Sequence, residues 1–195
     1  RKFLQGEYTF TRISNREDSI QRVAEWLRHE GDIFVRFGKW QTGVVLWLED
    51  KQEKRADSLS DGSFSFVDLK PYLKSVGNKK LQTELYVNYR FDEMYLQGKT
   101  RDRSRAYTYF FSSKWRPSRA FQLKNTSALR IFNLLDTTFQ SQGLADTRAL
   151  NTQFQMSYRA PKRFLQTNWV YEVSAEQVAR REIQYVEVNP GQIGR

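Results

Sequence analysis

Few residues in this chain are equipped for chemistry. His29 is the single histidine and there is no cysteine, so disulfides and thiolate metal sites are excluded. A transition-metal site would have to be built from carboxylates alone, a poor donor set for such ions. Glu49-Asp50 and Asp92-Glu93 are the adjacent carboxylate pairs. A glycosidase needs its two carboxyl groups at a set separation across a cleft, which adjacency in sequence does not supply. They read more simply as solvated strand ends and turns, and His29 as a cation closing a helix. There is no Gly-rich phosphate loop and no Ser or Cys nucleophile motif. The sequence therefore predicts no enzyme, no metal and no cofactor.

One constellation could hold a ligand. Arg101, Arg103 and Arg105 alternate just ahead of Tyr107 and Tyr109, an arrangement of cations and rings that suits an anionic glycan or nucleic acid. Trp40, Trp47, Trp115 and Trp169 all fall in strand-like runs, where exposed rings can form a platform. The simpler expectation is that they fill a core or, in a barrel, sit at a membrane interface.

These side chains would be positioned by β-structure. From Leu81 to Phe91 the odd positions read Leu, Thr, Leu, Val, Tyr, Phe, and the even ones Gln, Glu, Tyr, Asn, Arg. Leu150, Thr152, Phe154, Met156 and Tyr158 repeat the pattern against Asn151, Gln153, Gln155 and Ser157. Successive side chains of a strand point to opposite faces, so each run is a ribbon with one apolar and one polar face.

Composition agrees. Aromatics reach 15 %, with 14 Phe, 10 Tyr and 5 Trp, and rings favour pleated surfaces. The 195 residues are enough for a core, and 39 % hydrophobic with 28 % charged residues argues against wholesale disorder. The net charge is +10, which permits acidic partners. The basic residues are nevertheless spread along the chain and read mainly as the wet side of strands and loops. No apolar run reaches the roughly 18 residues of a membrane helix, whereas barrel strands give too weak a signal to be excluded this way.

Along the chain, a short strand is expected at Glu7 to Arg12, then a helix from Asp18 to Glu30. Ile20, Val23, Ala24 and Leu27 follow helical spacing, Asp18 or Ser19 can cap it and Gly31 can end it. Looser alternation through Ile20, Arg22, Ala24 and Trp26 also fits a strand there. Strands follow at Ile33 to Trp40 and Val44 to Glu49 around a turn at Gln41-Thr42-Gly43, then a charged loop from Asp50 to Gly62. Phe64 to Leu69 resumes as strand, and Pro71 breaks it. The long strand from Lys80 to Phe91 continues over Met94 to Gln97 past an irregularity, with a basic turn from Gly98 to Arg105. Ala106 to Trp115 and Ala120 to Asn133 form one hairpin around Arg116-Pro117-Ser118, with Leu129 to Phe139 also compatible with helix. Ser141 to Asp146 reads as a loop. Leu150 to Tyr158 and Phe164 to Val173 form a second hairpin, Ser174 to Gln177 a helical turn or a bulged connection, and Glu182 to Val188 a last strand.

Three stretches carry a resemblance: Tyr86 to Trp115, the segment after it through Asn133, and Trp169 to Gln192. They resemble a segment of very large exported, β-rich cell-envelope proteins of Bacteroidota, in which a run of the type R-x-x-x-Y-V-E-V-x-P/N-G-x-G often precedes a calcium-type loop. Glu182 to Gly191 matches the first part, but Ile193-Gly194-Arg195 stands where the loop would follow, so no calcium site is carried over. The resemblance covers roughly the last 110 residues and implies a structural role in the envelope. The chain starts at Arg1 rather than Met, and a piece of a longer protein is expected.

The expected fold is mainly β: long antiparallel strands in a meander of hairpins, as an extended sheet, a sandwich or a partial barrel, with one or two short helices. Residues 1 to 195 are read as a single region, with a minor subdivision at 50 to 63. A non-enzymatic structural or interaction segment of a large cell-envelope protein comes first, with other envelope proteins or further segments of the same chain as partners. A binding module for an anionic polymer is the alternative. A soluble or surface sheet ranks ahead of a membrane barrel, because Asn125, Ser127 and Thr152 dilute the apolar band that a barrel requires.

Overall fold

In the computed structural model, which describes residues 4–17, 22–55, 58–96, 98–136, 145–160 and 164–178, the alternating segments form ten strands. They are β1 (Leu4–Glu17), β2 (Arg22–Phe37), β3 (Trp40–Arg55), β4 (Ser58–Leu59), β5 (Phe64–Ser75), β6 (Leu81–Leu96), β7 (Lys99–Trp115), β8 (Phe121–Leu134), β9 (Thr147–Arg159) and β10 (Gln166–Val178). All lie in one antiparallel sheet ordered β1-β2-β3-β5-β6-β7-β8-β9-β10, with the short β4 paired to β3. Apart from β4, neighbours in sequence are neighbours in space, so the chain is an up-and-down meander with no crossover. The nine main strands run 12 to 17 residues, about twice the usual length in globular proteins.

No helix occurs among the described residues, which corrects the helix expected from Asp18 to Glu30. Its residues from Arg22 onward belong to β2; residues 18–21 lie outside the described set. Two long strands flank this segment and pair with it along its length: Trp26 faces Ile13 on one side and Lys51 on the other. Full pairing on both edges outweighs the small helix preference of such a sequence. For the same reason Leu129 to Leu134 stays in β8, whereas Ser174 to Gln177 continues β10 paired, among the described residues, with β9 alone. The strand expected at Glu182 to Val188 lies outside the described residues.

Other boundaries move outward. The β2–β3 turn is Gly38-Lys39 rather than Gln41-Thr42-Gly43, and Gly38 takes a φ of 58°, a left-handed conformation that favours glycine. The expected Asp50–Gly62 loop is strand to Arg55, and of the expected basic turn at 98–105 only Gly98 is turn, with β7 starting at Lys99. Pro71 does not end β5. It pairs with Val44 of β3, and the ladder to β6 lapses at 70–71, where proline has no N–H to offer. The irregularity after Phe91 is a bulge: Asp92 pairs with Ser104 and Glu93 with Asp102, so Arg103 is the extra residue.

Residues directly opposite across a ladder share a face, so the register assigns every side chain to one of two surfaces. One surface carries Ile33, Val44, Leu46, Leu69, Leu73, Leu85, Val87, Tyr109, Phe111, Leu129, Leu150 and Phe154. The other carries Arg28, Asp32, Gln41, Glu49, Asp68, Lys70, Tyr72, Arg90 and Ser104. Burial follows the face: Leu46 and Leu69 are 40 % and 39 % exposed, while on the polar face Gln41 and Glu49 are 3 % and 9 % exposed, beside the buried Phe34, Phe66 and Ala106. Among the described residues no second layer covers either face, since every substantial contact joins adjacent strands. The shielding of the polar face therefore comes from curvature, which crowds the side chains on the concave side and spreads those on the convex side.

Candidate functional site

The concave surface is a network of charges, amides and rings. Arg36 Nε donates to Gln41 Oε1 at 3.0 Å, Gln41 Nε2 donates to the Tyr72 hydroxyl at 2.8 Å, and that hydroxyl donates to the Asp32 carboxylate at 3.1 Å. Gly43 makes this chain of bonds fit. It lies opposite both Phe34 and Tyr72, and a Cβ placed there would stand 2.6 Å from the Ile33 carbonyl oxygen and 2.8 Å from the Tyr72 hydroxyl. The tyrosine thus lies over a backbone with no side chain of its own, as aromatics do when they cover glycines in strands.

A second cluster spans β5, β6 and β7. Arg90 Nε lies 2.8 Å from Asp92 Oδ1, and its guanidinium sits 3.8 Å from the Phe66 ring centroid. Ser104 donates to the other Asp92 oxygen at 3.1 Å, while on the opposite, convex face Ser65 donates to Glu93 at 2.9 Å. Nearby, Asn88 donates to Asp68 at 3.1 Å, Arg28 lies 4.1 Å over Trp47, and Tyr86 stacks on Phe110 at 4.6 Å. Removing Arg90 leaves the largely shielded Asp92 carboxylate with Ser104 alone. Arg90→Met is expected to lower stability by about 1–3 kcal/mol, the cost of an under-satisfied buried polar group, with Asp92→Asn in the same protein restoring much of it. Urea midpoints of the two variants check this.

The convex surface is the opposite in kind. Over Trp40 to Leu48 of β3, Val67 to Ser75 of β5, Leu81 to Phe91 of β6 and Tyr107 to Trp115 of β7 it holds no Asp, Glu, Lys or Arg, and Arg105, opposite Phe91, closes the stretch on β7. The same holds on β8 from Leu123 to Ile131 and on β9 from Leu150 to Tyr158. Rings gather at the lower edge, where Trp40 faces Phe37, Trp115 meets Phe121 edge-on at 5.8 Å, and Met156 faces Trp169. Charges return above the upper edge, with Asp50, Glu93, Arg105 and Arg148 on the convex face. The polar residues within the band are uncharged: Thr42, Ser75, Thr83 and Ser113 toward its lower edge, and on β8 and β9 Ser127, which faces Thr152, with Ser127 Oγ reaching Asn125 Oδ1 at 3.5 Å.

The residues singled out for chemistry disperse. His29 lies within β2 on the convex face, not at a helix end, with Nδ1 2.7 Å from the Tyr8 hydroxyl and its ring 4.7 Å from Phe10. The bulge splits the arginine row. Arg105 stays on the convex face in line with Tyr107 and Tyr109, whereas Arg101 shares the concave side with Met94 and pairs with Asp136 at 2.9 Å. Arg103 is the bulged residue and its Nε is shielded from solvent. Asp92 and Glu93 engage different partners, and Glu49 lies on the concave face while Asp50 lies on the convex one. Of the tryptophans, Trp26 and Trp47 are concave, and Trp40, Trp115 and Trp169 are convex. No group of three His, Asp or Glu among the described residues is placed to share a metal ion.

What the arrangement presents is a sheet with one largely apolar face and one polar, hydrogen-bonded face. No protein-family model, curated protein or solved structure matches the chain.

Proposed function

We propose that this chain is wall of a transmembrane β-barrel in a bacterial cell envelope, its convex face against lipid and its concave face against water. The observation that carries the reading is the inversion of burial: apolar side chains spread outward while Gln41, Glu49 and Ser104 are shielded. A water-soluble sheet arranges these the other way, and a contiguous exposed apolar surface of this extent is a liability in water. Lipid removes that conflict.

The dimensions agree. The band on β6 runs eleven residues from Leu81 to Phe91, about 33 Å over the rises between them at the usual strand spacing. A tilt of roughly 40° brings it to about 25 Å, the height of the apolar band of outer-membrane barrels. Ring-bearing residues at the lower edge match the interfacial girdle of such proteins, and an up-and-down antiparallel meander is their topology. The band's polar residues, Asn125, Ser127 and Thr152 on β8 and β9 and Thr42, Ser75, Thr83 and Ser113 toward the lower edge, are all uncharged.

The role is structural and non-enzymatic, in line with the resemblance of Tyr86 to Trp115 and Trp169 to Gln192 to very large exported envelope proteins. Further strands of the same chain or neighbouring envelope proteins are the partners that would complete the wall beyond β1 and β10. A polymer-binding site on Arg101, Arg103, Arg105, Tyr107 and Tyr109 has less support, because the bulge turns Arg101 away from the tyrosines. Cell fractionation tests the proposal. The protein should remain in the outer-membrane fraction after alkaline and urea washes and migrate differently on gels before and after boiling. Release by the washes into a monodisperse soluble form would refute it.

A further inference from the structure

The two ends of the sheet differ in charge. Four segments meet at the lower end, at and below the ring-bearing edge: residues 36–41, 74–82, 114–124 and, as far as described, 159–160 and 164–166. Together they hold ten Lys and Arg and no Asp or Glu. The other described residues carry 15 basic against 18 acidic side chains, so the positive excess of the described residues resides at this end. The upper end is mixed in sign, with Asp50, Lys51, Glu53 and Lys54 in one segment and Asp92, Glu93, Arg101 and Asp102 in another. The asymmetry is invisible along the chain because the basic turns are some 40 residues apart, and the meander alone brings them to one rim.

Between the β7–β8 and β9–β10 turns the rim has a recess of about 170 Å³, lined by Arg116, Arg119, Arg159, Gln122, Ser157 and Tyr158 among others. That is smaller than the roughly 300–1,000 Å³ of sites for drug-sized ligands. Its three arginines are exposed and form no ion pair with any described residue. Three like charges brought together without a counter-charge repel one another, and an anion relieves that repulsion. Guanidinium groups take phosphate oxygens in a two-pronged fashion.

We propose that this rim docks phosphate-bearing anionic lipid head groups, with the Arg116–Arg119–Arg159 recess as the tightest seat. The inference rests on the membrane reading above and adds a lipid class to it. The vertical order is apolar band, ring-bearing edge, then basic turns, which places the cations at the depth of the head groups. A soluble polyanion has weaker claims, since the cations gather at one edge that adjoins apolar surface, with Arg36, Lys74, Lys114, Lys124 and Arg159 at the foot of the concave face and not spread along it.

The test uses protein extracted from its membrane in mild detergent, loaded into nanodiscs of phosphatidylcholine with or without phosphatidylglycerol. Lipid retained after release is read by native mass spectrometry. Wild-type protein should retain phosphatidylglycerol over phosphatidylcholine. The preference should fall about fivefold for each arginine removed, from the usual gain per basic residue at an anionic surface. Arg116→Gln, Arg119→Gln and Arg159→Gln, singly and together, should lose it, while Lys51→Gln, Lys54→Gln and Arg55→Gln at the other end should keep it. Added salt should weaken retention in wild type, a check that needs no variant. Equal retention of the two lipids, equal losses from both triple variants, or full displacement by heparin would overturn the proposal. In each of these cases a washed, membrane-retained protein would leave the barrel reading standing; a protein that never enters the nanodisc would sink the barrel reading itself.

Discussion

Leu46→Arg is expected to cost the inserted protein about 2–4 kcal/mol, the penalty for arginine near the bilayer midplane on the lipid face of a barrel. Val45→Arg, one residue along the same strand, should cost under about 1 kcal/mol. Leu46 lies mid-band on the convex face, opposite Gly31 and Leu69. Val45 lies on the concave face between Asp32 and Lys70, where an added cation finds a carboxylate and water. The pair separates the two architectures because a soluble sheet reverses the order. There, a surface leucine 40 % exposed would accept arginine readily, and the better-shielded valine would not. Folded fraction in a urea titration, followed by the gel shift on boiling, gives both values in one experiment.

Gly43→Ala carries the second large effect. The new methyl group would stand 2.6 Å from the Ile33 carbonyl oxygen, 2.7 Å from Phe34 Cβ and 2.8 Å from the Tyr72 hydroxyl. The first of these is backbone, held by the β2–β3 ladder, and cannot swing aside as a side-chain end can. The ladder has to shift or Tyr72 has to leave, and leaving breaks its bonds to Gln41 and Asp32. Overpacking of this kind costs about 1–3 kcal/mol. Gly6→Ala is the matched control on the edge strand, where the nearest atom to a new Cβ is 3.6 Å away; it should shift the urea midpoint little. Tyr72→Ala combined with Gly43→Ala should recover part of the loss, but not all, because the clash with Ile33 persists.

The strands were legible because alternation over six or more residues has one physical explanation, and Leu81 to Phe91 and Leu150 to Tyr158 stand in the sheet as read. What alternation cannot express is which face is shielded. That depends on the direction of curvature, which only the pairing of many strands defines, so the wet-or-lipid choice stayed open and leaned toward a soluble sheet. The helix expected at 18–30 failed for a related reason: Ala24 and Leu27 share a helical stripe but sit on opposite faces of β2, and the neighbouring strands decide between the two patterns. The Arg101–Arg103–Arg105 row looked continuous because a bulge leaves no mark in the sequence there. The basic rim was missed because its members lie in four separate turns. Gly43, read as a turn residue, turned out to make room for a tyrosine that lies 29 positions later in the chain.

The central claim is that the convex face meets lipid and the concave face does not, and the tryptophans report on both. Single-tryptophan versions retaining Trp40, Trp115 or Trp169 on one face, and Trp26 or Trp47 on the other, can be placed in bilayers whose acyl chains carry bromine near the head groups. Bromine quenches indole fluorescence only at contact range. The account predicts strong quenching of Trp40, Trp115 and Trp169, with Trp26 and Trp47 as bright as in unbrominated lipid. Equal quenching of all five, none of any, or quenching confined to Trp26 and Trp47 would contradict it.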